Sequence, residues 1–167
     1  MLEKNNPGEI IRVGQGYDIH RLETGCPLIL AGVHIPYEMG LAGHSDADVL
    51  LHAVIDALLG AAALGDIGEH FPDTDPAYRR IDSRVLLQRT LEMLREAGYR
   101  PGNVDVTIIA EKPRLGGYKQ ILRNNLSEAL ELKPENVNIK AKTNEGLGEL
   151  GAGRAIACQA VALLTTG

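Results

Sequence analysis

One run constrains this chain more than any other: residues 43–68, GHSDADVLLHAVIDALLGAAALGDIG. Ser45 and Asp48 have the S-x-x-D spacing of a capping box, which predicts a helix starting at Ser45. The apolar run carries that helix to about Leu64, with Gly65 as the residue that stops it. At about 100° per residue, Asp48, His52 and Asp56 fall on one narrow stripe. Nearly every other position is apolar, and a helix apolar almost all round belongs in a core. The stripe then has two readings. It is either the helix's one strip of solvent contact or a row of functional groups with partners elsewhere, because charges are seldom buried alone.

With 167 residues the chain is long enough for one domain with a real core. Residues 1–9 (MLEKNNPGE) are polar and read as a disordered tail, leaving 10–167 as a single domain. There is no Trp and one Phe, Phe71, so the core must be built from aliphatic and small side chains. The formal charge is −5, with no dense Lys/Arg cluster, which argues against nucleic acid as a partner. The longest apolar run, Val49 to Leu64, is interrupted by His52 and Asp56 and is too short to span a bilayer, so no membrane partner is expected. Cys26 and Cys158 lack metal-type spacing and read as free thiols of a reducing, cytoplasmic compartment.

In chain order, Ile10–His20 and Leu28–Ile35 read as strands paired in a hairpin, Pro36–Gly43 as a loop, and Asp66–Ile81 as a long, Asp-rich irregular connection. Ser83 caps a second helix that Gly98 stops. Asn103–Ala110 reads as a strand, Tyr118–Glu131 as a helix, Val137–Thr143 as a strand, Asn144–Gly153 as a glycine-rich loop and Arg154–Leu164 as the last strand. Strands and helices mix without strict alternation. That predicts an α+β fold, one mixed sheet with helices on one face. The small apolar residues of the last strand suggest that the other face is covered too, with another subunit as the candidate.

Asp18 and His20, two apart at a strand end, point to the same face. With His52 they make two imidazoles and a carboxylate, a set that suits zinc with an open fourth position or iron(II) as a facial triad. Asp48 or Asp56, one turn either side of His52, is placed to orient its ring. His44 and Ser45 precede a helix, where free N–H groups favour an anion, although Ser45 also reads as a plain cap. Lys142-Thr143-Asn144-Glu145 follows a strand and opens a glycine-rich loop, which suits a phosphate or a hard cation as well as an ordinary solvated turn. Together these residues imply a metal-assisted reaction on a phosphorylated or carboxylated small molecule.

The stretches GQGYDIH (14–20), HSDADVLLH (44–52), DIG and FPDTD (66–75), NVDVTIIA (103–110) and KAKTNE (140–145) resemble the 2-C-methyl-D-erythritol 2,4-cyclodiphosphate synthase family, collinearly from about Arg12 to Leu164. The resemblance implies a homotrimer with its sheets facing a threefold axis and active sites between neighbours. It implies a cytidine diphosphate substrate, 4-diphosphocytidyl-2-C-methyl-D-erythritol 2-phosphate, cyclised with loss of CMP in the non-mevalonate isoprenoid pathway. Carried onto this chain, Asp18, His20 and His52 hold zinc or another divalent metal, and Glu145 holds magnesium or manganese. His44 and Thr143 stabilise the transition state, and Ser45 lies beside the terminal phosphate. Asp66 and Gly68 match ribose-binding positions, with Ile67 between them among the substrate-binding residues, and Phe71, Pro72, Asp73, Thr74 and Asp75 match the stretch at the methylerythritol end. Ala110, Glu111, Lys112, Pro113, Arg114, Leu115 and Gly116, with Lys142, match the cytosine pocket of the adjacent subunit, and Asn144 lies in the same matched run as Thr143 and Glu145.

One departure stands out: where the family commonly reads Gly-Arg-Gly-Glu, this chain has Gly151-Ala152-Gly153-Arg154. An anion clamp near the trimer axis is therefore missing, with Glu149 available to neutralise Arg154. Two other classes fit the same triad: a mononuclear iron(II) oxygenase, and a trimeric metal-binding module without catalysis.

Overall fold

The structure, a computed structural model, describes residues 10–166. The tail expected over residues 1–9 lies outside them. Strand β1 (Ile11–Thr24) is followed by the short strands β2 (Ile29–Leu30), β3 (Val33–His34) and β4 (Met39–Ala42). Helix α1 (Val49–Ala62), the one-turn helix α2 (Ile67–His70) and helix α3 (Ser83–Glu96) come next. Then follow β5 (Tyr99–Ile109), α4 (Lys119–Ala129), β6 (Val137–Lys142), the one-turn α5 (Gly148–Gly151) and β7 (Ala155–Thr166). Five strands form one sheet in the order β4-β1-β7-β5-β6, antiparallel except for the β5–β6 pair. The α+β expectation, a mixed sheet carrying its helices on one face, is met.

The sheet's inner face is a register of small and branched side chains. Gly14 lies opposite Ala162 and Gly16 opposite Ala160, and on the far side of β7 these meet Val104 and Val106 of β5. Helix α1 rests on this row. A Cβ built on Gly16 would stand 2.0 Å from the carbonyl oxygen of Ala53, and one on Gly14 would stand 2.1 Å from that of Ala57. Backbone therefore lies against backbone, a separation that only glycine facing alanine permits. Leu50, Leu51, Val54, Ile55, Leu58 and Leu59 fill the rest of the helix's circumference and are fully buried. The expectation of a helix buried nearly all round holds.

Its ends differ from expectation. Ser45 is not the N-cap. Asp48 is, accepting the Leu51 amide at 3.1 Å, and the helix begins at Val49. The chain leaves α1 through Ala63, not Gly65: Ala63 takes the left-handed conformation at φ 59°, and its amide and that of Leu64 bond back to Gly60 and Leu59. Likewise Asp82, not Ser83, caps α3.

The Leu28–Ile35 segment is not one strand paired with β1. It folds back on itself at Ala31-Gly32, with φ of 50° and 72°, as a two-residue hairpin turn. The Asp48 carboxylate causes this, taking the amides of Ala31 at 3.1 Å and Gly32 at 2.7 Å. The edge partner of β1 is β4, inside the stretch expected to be loop. The Asp66–Ile81 connection contains the one-turn helix α2 and a 3-10 turn over Pro76–Tyr78, and the 144–153 loop contains the one-turn α5.

Two outcomes are expected. Gly16→Ala forces the helix off the sheet and lowers stability by about 3 kcal/mol, whereas Gly60→Ala, where an added Cβ meets nothing within 4 Å, raises it by about 0.5–1 kcal/mol. Urea midpoints at constant m-value measure both. Asp48→Ala strips a buried acceptor from three amides and costs about 2–4 kcal/mol at neutral pH. Burial pushes the Asp48 carboxyl up to about 6, against the pull of the Gly32 and Leu51 amides. Its folded value exceeds its unfolded one, so folding favours the protonated form. The associated stability is fully present below about pH 4 and declines as pH rises through about 6. Stability curves of Asp48→Ala against pH should lack that decline.

Candidate active site

The α1–β1 contact determines what stands beside it. β1 alternates, so Gly14, Gly16, Asp18 and His20 all face the helix. Past the glycines, Asp18 and His20 meet the first turn of α1, and with it His52. Asp18 Oδ2 lies 2.9 Å from His20 Nε2 and 2.9 Å from His52 Nδ1, and the two ring nitrogens are 3.1 Å apart. A tetrahedral zinc with bonds of 2.0–2.1 Å sets its donors about 3.3 Å apart. The three donors are within a few tenths of an ångström of that triangle. They fit a divalent metal, with one side open to the cleft.

The charges agree with such use. Burial opposes ionisation of Asp18, but hydrogen bonds from His20 and His52 outweigh it and hold the carboxyl well below the usual carboxylate range. Burial also works against charge on His20, yet Asp18 and the Ala42 carbonyl together raise its value. His20 Nδ1 donates to the Ala42 oxygen at 2.9 Å, which turns Nε2 toward the triad as the nitrogen a metal would take.

The polar stripe of α1 is not a solvent strip. Asp48 is fully buried, while His52 and Asp56 line a cleft of about 530 Å³. Neither aspartate orients His52, contrary to expectation. Asp48 is committed to the three amides of the hairpin turn and helix cap. Asp56 accepts the Ile67 amide at 2.8 Å, anchoring α2 over the cleft, and burial raises its carboxyl. The far edge of the His52 ring instead faces Ser83 Oγ at 2.9 Å and Ser45 Oγ at 3.1 Å. Sequence reading missed Ser83 and its neighbour Asp46, 31 residues and six residues from His52 in the chain. Their only sequence signals were a helix start and a place inside HSDAD.

The remaining expected residues fall into two clefts. The first gathers Asp18, His20, His44, Ser45, His52, Ile67, Gly68, Phe71, Pro72 and Asp73. Asp66 and Asp75 stand beside it as local caps, accepting the amides of Glu69 and Ala77, and Thr74 lies between Asp73 and Asp75. The second cleft, about 690 Å³, is lined by residues 110–116 with Lys142 and Thr143, joined by Tyr37 and Lys119. The two clefts share no lining residue. At the edge of the second, Thr143 donates to Glu145 at 2.9 Å, and the Asn144 amide to Glu111 at 3.2 Å. Glu145 itself is left-handed at φ 52°, a conformation that costs a non-glycine residue about 1–2 kcal/mol. A third cleft, near the end of β1, places Arg154 Nε 3.1 Å from Glu149, the pairing expected for them.

Comparison with known proteins agrees with this geometry. The model of the YgbB family matches residues 11–165. A 2-C-methyl-D-erythritol 2,4-cyclodiphosphate synthase of Nitrosospira multiformis is 58% identical over 154 residues, covering 92% of this chain and 87% of its own. Among solved structures, the bifunctional IspDF from Campylobacter jejuni matches at a TM-score of 0.92 and 40% identity, over 96% of this chain and 44% of that one. A 2C-methyl-D-erythritol-2,4-cyclodiphosphate synthase in a CDP-bound form matches at 0.85 and 39% identity, over 92% of this chain and 99% of its own. With a family model spanning nearly all its described residues and relatives this similar, the chain belongs to the YgbB family.

Proposed function

We propose that the chain cyclises 4-diphosphocytidyl-2-C-methyl-D-erythritol 2-phosphate to 2-C-methyl-D-erythritol 2,4-cyclodiphosphate, releasing CMP, in non-mevalonate isoprenoid synthesis. The observation that carries this reading is the convergence of Asp18, His20 and His52 on a cleft that also holds His44 and Ser45. Similarity to synthases of that name, one of them in a CDP-bound form, supports the substrate class.

In this reaction an oxygen of the 2-phosphate attacks the β-phosphorus. The bond from that phosphorus to the bridging oxygen breaks, and the electron pair leaves on CMP. The nucleophile is already an anion, so no strong general base is needed. The protein's work is to bring like charges together and to hold the attacking oxygen in line. Zinc or a similar ion at Asp18, His20 and His52, with magnesium or manganese at Glu145, would supply Lewis-acid charge to the phosphates.

His44 and Ser45 offer donors to the terminal phosphate from the first cleft, and Thr143 offers one from the second. The ribose falls to Asp66, Ile67 and Gly68, and the methylerythritol end to residues 71–75. Cytosine falls to residues 110–116 with Lys142.

Because the two clefts share no residue, the reading requires one subunit's second cleft to close over a neighbour's first, in a homotrimer. The helix-free face of the sheet supports this. Ile11, Val13, Tyr17, Ile19 and Val161 lie there, 43–65% exposed, an apolar face that a lone chain would leave to water. Among the described residues no helix is long and apolar enough to cross a membrane, and the proposed location is the cytoplasm.

The decisive measurement is CMP release from the diphosphocytidyl substrate, which neither an oxygenase nor a binding module produces. His52→Ala should leave a folded protein that retains little metal and loses more activity than the roughly 10–100-fold expected for loss of an outer partner. Full zinc content with near-normal CMP release would exclude His52 as a ligand. Glu145→Gln should keep its zinc and lose much of its dependence on magnesium or manganese. An unchanged titration curve with those two ions would remove Glu145 from the site.

A further inference from the structure

The far edge of His52 poses a question of proton placement that the surrounding donors and acceptors answer. Ser83 is fully buried at the start of α3. Its hydroxyl lies between His52 Nε2, at 2.9 Å, and the carboxylate of Asp46. A carboxylate only accepts. Asp46 already receives the Ser83 amide at 3.0 Å on one oxygen and the Asp48 amide at 3.2 Å on the other. The Ser83 hydroxyl must therefore donate to Asp46, which leaves its lone pairs facing His52. A lone pair there demands a proton on Nε2. With Nε2 protonated, the nitrogen left for a metal is Nδ1, the one that points at Asp18 and His20, where a cation would replace the proton that Nδ1 shares with the Asp18 carboxylate.

We propose that Asp46 and Ser83 are a positioning pair that holds His52 as its Nε2–H tautomer and so sets the metal affinity of the Asp18–His20–His52 centre. The proposal rests on the reading of that triad as a metal site. The logic parallels the Ala42 carbonyl behind His20: each ring is oriented from behind by an acceptor, in one case a backbone oxygen and in the other a carboxylate acting through a hydroxyl. Ser45, also near Nε2, accepts the Ala47 amide at 3.2 Å. With Nε2 already protonated, the Ser45 hydroxyl has no acceptor on His52, and its proton is free for an anion in the cleft.

The test uses purified protein stripped with a chelator and titrated with zinc against a chromophoric competitor. Ser83→Ala keeps the amide that bonds Asp46 and should fold with an unchanged circular dichroism spectrum, while its zinc dissociation constant rises about 10–100-fold. Ser83→Thr, which keeps the hydroxyl, should recover most of the loss. In the zinc-loaded unaltered protein, imidazole ¹⁵N spectra should place the metal on Nδ1 and the proton on Nε2 of His52. Unchanged zinc affinity in Ser83→Ala, an equal loss in a folded Ser83→Thr, or zinc on Nε2 would each overturn the proposal. If Ser83→Ala does not fold, the ¹⁵N assignment decides alone. Failure of the unaltered protein to bind zinc at all would overturn the metal reading itself, and the proposal with it.

Discussion

Everything at the site depends on one contact, the seating of helix α1 on strand β1 where Gly14 and Gly16 meet the carbonyls of Ala57 and Ala53. The missing side chains let helix and sheet approach until backbone touches backbone. That separation decides how far His52 stands from Asp18 and His20, which sit on the same face of the same strand a few residues on. A helix held at the usual spacing by bulkier side chains would carry His52 away from Asp18, and three donors separated by 2.9–3.1 Å would no longer converge. The glycines belong to the packing of the core, yet their consequence is chemical.

The acidic residues around α1 divide the labour between folding and function by what surrounds them. Asp48, fully buried, faces three amides and holds the hairpin turn against the helix start. Asp56 tethers the one-turn helix over the cleft through the Ile67 amide. Asp46 backs Ser83, and Asp18 faces the two imidazoles. A buried carboxylate is costly unless donors surround it, and each of these has its own set. Only Asp18 has its partners arranged so that a cation could replace the protons between them.

The surface is as informative as the core. One face of the sheet carries the helices and the site, and the opposite face presents Ile11, Val13, Tyr17, Ile19 and Val161 to solvent. The first cleft holds the Asp18–His20–His52 triad with His44 and Ser45, and the second is lined by residues 110–116 with Lys142 and Thr143. The proposed trimer would close one cleft over another and cover this apolar face in a single arrangement.

Much of this was legible in the sequence. Periodicity alone identified the buried central helix, the strands that became β1, β5, β6 and β7, the helices α3 and α4, and the α+β class, because those signals repeat over many residues. The donor set Asp18, His20 and His52 was legible because a strand's alternation and a helix's stripe each put chemistry on one face. The segment from Leu28 to Ile35 misled because its apolar pattern is that of a strand, while the turn at Ala31-Gly32 is held by Asp48 from 16 residues away. The capping role of Ser45 misled for a related reason: Asp48, three residues on, takes the Leu51 amide at the helix start and two amides of the hairpin besides. Ser83 behind His52 could not be read at all, since no spacing rule links positions 31 apart. The sequence by itself determined which residues are apolar, which can ligate and which local elements they occupy, because those properties repeat at short range along the chain. Only the tertiary structure decided which carboxylate serves which amide or imidazole, because that choice follows from distances set by two glycines packed against a helix.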